Sequence, residues 1–379
     1  DIKRFSKILT FPGKDFKGVI CSHPFSKIGF EYDIPMLDAN FVNIEQGSGI
    51  VHCAPSHGPD DFNLCLNNNI KALETVDDDG KYTNNIIKFE GIHIFKANPV
   101  VIENLKNQKK LLMNGKLTHS YPHSWRSKAP LVHRATAQWF ISMESHGLRE
   151  KSLKAIDETV FYPSKAKERI KSMIETRPDW CVSRQRVWGV PLPIFLSKKD
   201  GMPLIDEEVF ENIANIFEKE GSDCWFSDDA QKFLGEKYKS EDYDKINDIV
   251  EVWFDSGSTH SYVLEKRADL KWPASMYLEG SDQHRGWFHS SLLESCGTRG
   301  RAPFESILSH GFVVDGKGHK MSKSTGNVIV PEDILKKYGA DILRIWVASS
   351  NYAEDLRIDY SILDQHAESY RKIRNTFRY

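Results

Sequence analysis

The sequence predicts a mixed α/β fold, and three patterns along the chain lead to that prediction. Residues 251–347 alternate strand, loop, helix and strand in the manner of an α/β domain. Residues 1–118 hold short apolar runs separated by glycine and aspartate turns, which predicts a strand-rich block. Residues 348–379 end with Tyr370, Ile373 and Phe377 at helical spacing, which predicts the start of a helical region.

The length of the chain indicates more than one domain. Its 379 residues suffice for two or three domains at about 150 residues each. Changes in composition divide it into five segments. They are a strand-rich block (1–118), a segment with tryptophans and prolines (119–199), a charge-rich insertion (200–250), the α/β segment (251–347) and the start of a helical region (348–379). In the insertion, Phe210, Ile213 and Phe217 follow an acidic run and predict an amphipathic helix.

The composition is that of an ordinary soluble protein. Hydrophobic residues make up 40% and charged residues 27% of the chain. With 51 Lys+Arg and 53 Asp+Glu, the net charge is -2, so any contact with RNA would depend on local basic patches such as that at 371–378. No apolar run approaches the ~20 residues that a membrane span requires, so no membrane partner is expected.

The cysteines and histidines give no metal site. The six cysteines are scattered without a C-x-x-C pair, which predicts unpaired thiols and a reducing, cytoplasmic compartment. His119 and His123 lie four residues apart, but Pro122 between them interrupts a helix. A structural role for the two histidines is therefore favoured over metal binding.

A glycine-flanked loop is the most informative local feature. Lys320 and Lys323 lie between Gly318 and Gly326, after a short apolar run and an Asp-Gly turn. Lysine binds phosphate as a compact charge with three donors. For a lone Lys-x-x-Lys a solvated surface turn would be the better interpretation. The full string Lys-Met-Ser-Lys-Ser at 320–324 is much more specific.

Two further strings suggest a nucleotide site and an apolar pocket. Glu279, Asp282 and Gln283 follow a predicted strand and precede a predicted helix, where open α/β sheets bind nucleotides and carboxylates accept bonds from ribose hydroxyls. Capping of the helix by Asp282 is the alternative, and both roles can hold for different residues. Trp253, expected in a strand, and Trp287 could either wall an apolar pocket or belong to the core.

The lysine string, together with the strings at 251–258 and 279–288, resembles class I aminoacyl-tRNA synthetases, and among them the isoleucine-specific members. The string at 180–186 is similar to one that the isoleucine, valine and leucine enzymes all share, so it supports the subfamily and not the choice of amino acid. The resemblance implies the second half of a Rossmann-like catalytic domain, with the C-terminal part of an inserted editing domain in 1–118. It implies a small insertion at 200–250 and the start of a stem-contact and anticodon-binding region after 347.

The resemblance also implies a reaction and its partners. Isoleucine would attack the α-phosphate of ATP, accompanied by Mg²⁺, and the isoleucyl group would pass from the adenylate to its tRNA on a monomeric enzyme. Lys320 and Lys323 would act as the catalytic charges, and Trp253 and Trp287 would wall the isoleucine pocket. The resemblance assigns ATP or adenylate binding to Glu279, Gly280, Asp282, Gln283 and Lys323.

The string at 47–62 combines two histidines and two aspartates with small residues. A triad of Ser56, His57 and Asp60 is rejected, because so short a segment rarely gives triad geometry and no nucleophile elbow is present. The string resembles the editing domain that hydrolyses misattached valine. By that resemblance Asp61 grips the substrate ammonium and His52 lines the pocket. The alternative is that both merely hold a turn together.

Editing is needed because an amino-acid pocket cannot bind isoleucine much more tightly than valine. The isoleucine–valine pair is itself the standard illustration: one methylene is worth about 1–3 kcal/mol in a hydrophobic pocket, so a second sieve is required.

Two motifs that the family would be expected to have are missing from this sequence. No histidine-rich HIGH-type motif occurs, and no threonine-rich strand precedes Gly47. We therefore expect an internal fragment that is inactive alone. A non-catalytic RNA-binding or regulatory protein derived from a synthetase is the alternative. A free-standing deacylase is disfavoured because it leaves 251–347 without a role.

Overall fold

The structure is a computed structural model that describes residues 6–43, 45 and 48–378. Gly47, the first residue of the predicted editing string, lies outside the described residues. The chain forms two compact units, Asp1–Ala137 and Gln138–Tyr379. Within the described residues, no helix combines the length and the apolar character that a membrane crossing demands.

The first unit holds less strand and more helix than the sequence predicts. Its named elements are two short strands, paired antiparallel, and two helices: β1 (Ile20–Ser22), β2 (Asp33–Pro35), α1 (Pro59–Asn67) and α2 (Ile94–Asn107). In α2, Ala97, Val101 and Leu105 recur every four residues, the spacing of one helix face. That face packs towards an aromatic core of Phe25, Phe30 and Phe89.

The second unit opens with alternating strands and helices: β3 (Phe140–Ile141), α3 (Leu148–Glu158), β4 (Val160–Tyr162), α4 (Ala166–Glu175), β5 (Trp180–Cys181) and β6 (Ser183–Arg184). Strand β3 pairs antiparallel with β5. The buried faces of α3 and α4 contribute Ile156, Ile170 and Ile174 to the main core of this unit.

The charge-rich insertion has its own small core. Its elements are β7 (Phe195–Ser197), α5 (Glu207–Glu220), α6 (Cys224–Ser227), α7 (Ala230–Leu234) and β8 (Tyr243–Lys245), followed by β9 (Ile249–Val250). Trp225 and Phe233 are fully buried at its centre. The predicted amphipathic helix is confirmed as α5, capped by Asp206. Its buried positions are Val209 and Ile213, whereas Phe210 faces outward.

A three-stranded parallel sheet forms the centre of the second unit. The next elements are α8 (Val252–Gly257), β10 (Tyr277–Gly280), α9 (Trp287–Arg299), β11 (Ser306–His310) and β12 (Val313–Asp315). Strands β10, β11 and β4 lie side by side in that order, all parallel. Trp253 lies in helix α8, so its expected place in a strand is wrong. Strand β9 ends at Val250, and Glu251, in extended conformation, starts the helix.

The last elements are α10 (Pro331–Tyr338), α11 (Ala340–Ser349), β13 (Leu356–Ile358) and α12 (Tyr360–Thr376). Strand β13 pairs parallel with β12. Pro331 lies in the first turn of α10, a position at which proline is favoured. Gly339 ends α10 with a positive φ of 83°, which glycine adopts without strain. Asp341 lies in the first turn of α11 and accepts a bond from Arg344.

Candidate active site

Strands β10 and β11 end side by side, with Glu279 opposite Ser309 and Gly280 opposite His310. A short 3-10 turn, Ser281–Arg285, leads from β10 into α9. The structure therefore brings Glu279, Gly280, Asp282 and Gln283 to the carboxyl edge of a parallel sheet. That edge is where open α/β sheets bind their ligands.

Gln283, rather than Asp282, caps the start of α9. Its Oε1 accepts a hydrogen bond from the Trp287 amide at 2.8 Å. The Asp282 carboxylate, which the sequence suggested as a possible cap, instead accepts a long bond of 3.4 Å from the Gln283 amide. The Asp282 carboxylate also lies against the backbone of Gly280, because a Cβ there would be 2.7 Å from Asp282 Oδ1. Asp282 and Glu279 are exposed at the strand end.

The two tryptophans meet at Gly286. A Cβ at that glycine would lie 2.8 Å from Cη2 of Trp253, so the indole of Trp253 rests on bare backbone. Trp287 is half-buried, stacks on Tyr277 with ring centroids 4.1 Å apart, and donates from Nε1 to the Ser256 carbonyl at 2.9 Å. Trp287 thus joins the core and holds helix α8, while Trp253 retains 39% exposure. The pair presents a rigid aromatic surface.

The start of α8 is anchored by a buried carboxylate. Glu251 Oε1 accepts a bond from Trp180 Nε1 at 2.5 Å, and Oε2 accepts one from Arg184 at 2.8 Å. This contact joins the string at 180–186 to the string that holds Trp253. Sequence reasoning gave no role to Arg184. The available signal was a cationic side chain in one string and a carboxylate in the other, without any indication that they meet.

The lysine loop is closed at its base by two polar side chains, which we name the Asp315–Asn327 clamp. Asp315 accepts backbone bonds from Lys317 at 3.0 Å and His319 at 2.8 Å, and its second oxygen accepts one from Asn327 Nδ2 at 2.9 Å. Asn327 Oδ1 in turn accepts from the Ser322 amide at 3.0 Å. The bond from Asn327 and the backbone bonds lower the pKa of the Asp315 carboxyl.

Both lysines of this loop are exposed. Lys320 pairs through its backbone with Val314 in an isolated bridge, and Lys323 lies in the following turn. Within the described residues neither ammonium forms an ion pair. The clamp therefore fixes the backbone of the loop and leaves two cations available to an anionic ligand. Sequence reasoning missed the clamp, although Asn327 directly follows the flanking Gly326.

A second buried carboxyl lies behind α8. Glu294 of α9 is 9% exposed, and a Cβ at Gly257 would come within 2.1 Å of its Oε1. Burial, then the nearby Asp255 and Glu251 carboxyls, raises the pKa of Glu294 to about 9. The Oε1 atom has no hydrogen-bond partner within the described part of the chain. The side chain is therefore a neutral acid at neutral pH.

In the first unit, Asp61 is half-buried in the first turn of α1. Its Oδ2 accepts a bond from the Ala54 amide at 2.8 Å, and its charge, after burial, raises the pKa of Cys53. His52 is exposed, and it lowers the pKa of His23 after the larger effect of burial. The structure shows no hydrogen bond between His52 and Asp61, although both residues are described.

The tempting local triad is absent. His57 bonds the His133 carbonyl at 2.7 Å and Thr75 Oγ1 at 2.8 Å, and Ser56 donates to the Leu73 carbonyl. Asp60 is exposed. These bonds hold loops together and give no nucleophile–base pair. Among the residues that the structure describes, no three His, Cys, Asp or Glu side chains converge as a metal site.

Comparison with known proteins gives a family and close relatives. The family described as tRNA synthetases class I (I, L, M and V) matches residues 26–359. The Isoleucine--tRNA ligase of Pelagibacter ubique (strain HTCC1062) is 80% identical over the whole chain, which covers 42% of that protein. That of Gluconobacter oxydans (strain 621H) is 50% identical over 98% of this chain and 40% of its own length. The chain thus spans about two fifths of the relatives that it matches.

Proposed function

This chain belongs to the class I tRNA synthetases of the isoleucine, leucine, methionine and valine group, and on that premise we propose that it provides one half of the site that activates isoleucine with ATP. The observation that leads to this proposal is the exposed lysine loop held by the Asp315–Asn327 clamp. It follows strand β12, the next strand after β11, and β11 is paired with the strand that ends at Glu279 and Gly280. The 80% identity to a protein named Isoleucine--tRNA ligase supports the choice of amino acid.

In the proposed reaction an isoleucine carboxylate oxygen attacks the α-phosphate of ATP. The bond to the bridging oxygen breaks, pyrophosphate leaves, and isoleucyl-adenylate forms. Such chemistry needs alignment and neutralisation of charge more than acid–base help. Lys320 and Lys323 neutralise the leaving phosphates, and Mg²⁺ accompanies the ATP. The isoleucyl group then passes to a hydroxyl of the tRNA, with AMP as the leaving group.

The remaining site residues position the substrates. Glu279 and Asp282 offer carboxylates to ribose hydroxyls, and Gly280 allows the ligand to approach the backbone. Gln283 supports this turn through its bond to the Trp287 amide. Trp253 contacts the aliphatic side chain of isoleucine, and Trp287, stacked on Tyr277, keeps that wall rigid.

Editing of valyl-tRNA is the second part of the proposal, and it falls to the segment 1–118. The Asp61 carboxylate faces the α-ammonium of the misattached valine, and His52 lines the side-chain pocket. His52 lies in the loop before α1 and Asp61 in the first turn of that helix, so both belong to the string at 47–62 that resembles the editing domain.

The other segments have roles around this site. Residues 119–199 return the chain to the catalytic domain, 200–250 form a small insertion, 251–347 form the catalytic half, and 348–379 begin the region that contacts the tRNA stem. The whole enzyme works in the cytoplasm as a monomer with tRNA, isoleucine and ATP as its partners.

Amino-acid-dependent exchange of pyrophosphate into ATP tests this proposal in the full-length protein that contains the chain. We expect the highest exchange with isoleucine, and weaker exchange with valine by roughly 10–200-fold per methylene. Trp253→Ala should raise KM for isoleucine about tenfold or more, because it removes an apolar wall. Trp188→Ala removes an exposed loop tryptophan and is the matched control. Absence of exchange with every amino acid would favour the non-catalytic alternative.

A further inference from the structure

We propose that Gly257 and Glu294 determine the spacing between helices α8 and α9, and through it the position of the Trp253 wall that selects isoleucine. Trp253 lies on α8, whereas Trp287 lies at the start of α9. The inference rests on the proposed function, in which Trp253 contacts the aliphatic side chain of isoleucine. It adds two positioning residues, which act through α8 and have no contact of their own with the amino acid.

Helix α8 ends against α9 at a glycine that has no room for a side chain. Gly257 is buried, and a Cβ there would overlap Glu294 Oε1 and lie 2.9 Å from Glu294 Cδ. The same Cβ would lie 3.0 Å from the backbone carbonyl carbon of Ser290. The end of α8 is also held by the buried His260, whose Nδ1 donates to the Gly257 carbonyl at 3.0 Å. The Glu294 carboxyl therefore acts as a spacer between the two helices.

A second glycine contact lies near the start of the same helix pair. The indole of Trp253 rests on Gly286, the residue before α9, where a Cβ would lie 2.8 Å from Cη2 and 3.0 Å from Cζ3. Between the two glycine contacts, the Ser256 carbonyl accepts a bond of 2.9 Å from Trp287 Nε1. A change of spacing at the end of α8 is therefore transmitted along this short helix to the indole of Trp253.

Of the two helices, α8 is the one that can move. Helix α9 contributes the fully buried Phe288 to the main core. Helix α8 has six residues, buries Gly257 and leaves Trp253 exposed. Glu294 lines a cavity of about 420 Å³ together with Ser258, the residue that follows α8. A larger side chain at position 257 would push α8 away from α9, and a shorter one at position 294 would let α8 settle towards the cavity.

The spacing should affect the choice of amino acid more than the binding of ATP. One methylene separates isoleucine from valine and is worth about 10–200-fold in kcat/KM. That gain depends on close contact with the wall, because a gap of about 0.5–1 Å forfeits roughly a quarter to a half of the attraction between two atoms. The nucleotide residues Glu279 and Asp282 lie on β10 and the turn after it, and not on α8.

Exchange of pyrophosphate into ATP by the full-length protein, with isoleucine and with valine, tests the spacing. Gly257→Ala should lower the ratio of kcat/KM for isoleucine to that for valine about fivefold or more, a part of the discrimination that one methylene provides. It should leave KM for ATP unchanged. Glu294→Ala should lower the ratio in the same way, whereas Glu294→Gln keeps the shape of the spacer and should retain the ratio. Gly297→Ala, also in α9, is the matched control, because a Cβ there meets Leu148 Cδ1 at an ordinary 3.7 Å.

The double variant Gly257→Ala with Glu294→Ala identifies the contact itself. Its added methyl group occupies space that the carboxyl has left, so the ratio should return to within about twofold of the unmodified protein, whereas independent losses would add. A general defect in folding would lower exchange with both amino acids alike, and a second substitution would not reverse it. If Gly257→Ala does not fold, Glu294→Ala, which adds no atoms to the contact, still tests the spacer.

The inference and the proposed function fail in different ways. The spacing proposal is wrong if Glu294→Ala keeps the ratio of the unmodified protein, or if the two losses add in the double variant. If the unmodified full-length protein shows no exchange with any amino acid, the proposed function is wrong, and the inference fails with it.

Discussion

At the scale of one residue, the structural role of Asp61 can be separated from its proposed chemical role by a single substitution. Its carboxylate accepts the Ala54 amide, which holds a turn, and its charge is what the proposed editing pocket needs for an ammonium group. Asparagine keeps an acceptor for the amide and loses the charge. The two roles therefore respond differently to Asp61→Asn.

In the full-length protein, Asp61→Asn should leave isoleucine activation unchanged and allow valyl-tRNA to accumulate. The reason is that the ammonium loses its counter-charge only in the editing pocket. Deacylation of preformed valyl-tRNA, followed over time, measures the effect. Asp60→Asn, at the exposed neighbour, should clear valine normally. Normal clearance by Asp61→Asn would mean that Asp61 only holds the turn.

Glu294 gives a pH dependence of stability with a defined sign. Burial raises its pKa from an ordinary 4.5 to about 9. Between these two values the folded chain binds a proton that the unfolded chain has lost, so the contribution of this group to stability falls as pH rises through that window. Above the folded pKa the contribution is fully lost.

Glu294→Gln keeps the shape of the side chain and removes its titration. The free energy of unfolding, measured by urea denaturation, should therefore become steadily larger for this variant than for the unmodified chain as the pH rises from 5 to 9. For Glu168→Gln, on the exposed surface of α4, the curve of unfolding free energy against pH should be parallel to that of the unmodified chain. Parallel curves for Glu294→Gln would show that the buried acid is not neutral in the fold.

At the scale of an element, the lysine loop depends on the Asp315–Asn327 clamp for its conformation. Five residues, Asp315, Lys317, His319, Ser322 and Asn327, take part in its bonds. Since the lysine ammonium groups make no ion pairs within the described residues, the clamp fixes the backbone from which the two side chains extend and leaves the side chains free to turn towards a ligand. Such a loop can present its charges without neutralising them, which suits a transient anionic ligand.

Asn327→Ala should release the loop and increase trypsin cleavage after Lys320 and Lys323 about tenfold, since local opening controls access of the protease. Asn375→Ala, on the exposed face of α12, is the control. Asn327→Asp should have the same effect through repulsion from Asp315. Combining it with Asp315→Asn should restore protection, because the exchanged pair can again form its hydrogen bond. Cleavage at the unmodified rate in both single variants would contradict the clamp.

At the scale of the whole molecule, local sequence patterns predicted helices better than they predicted which distant residues come into contact. The apolar spacing of α5 is a pattern within a few residues of the chain, and that predicted helix is confirmed. Trp253 was expected in a strand, as part of the string at 251–258 that resembles a strand-loop signature. The fold instead ends the strand at Val250 and turns the next residues into a short helix.

Contacts between distant strings could not be predicted from the sequence. The pairing of Glu251 with Arg184 and Trp180 joins residues about seventy positions apart. Strand β4 lies next to β11 in the sheet, an order that no local pattern encodes. For the same reason the clamp and the buried Glu294 emerged only from the structure, while the lysines and tryptophans were evident from their strings.

The most direct test of the whole account concerns Lys323. The central claim is that the exposed lysine loop supplies charge to the phosphates of ATP while isoleucine is activated. In the full-length protein, Lys323→Ala should lower isoleucine-dependent exchange of pyrophosphate into ATP by about 10²-fold or more, the scale of one preorganised partner of a transition-state charge.

Lys336→Ala, which removes an exposed lysine of α10, supplies the control for a simple loss of charge and should leave the exchange rate unchanged. The measurement compares initial rates of labelled pyrophosphate incorporation for the three proteins at saturating isoleucine and ATP. A rate for Lys323→Ala equal to that of Lys336→Ala would contradict the account, because the lysine loop would then have no part in activation.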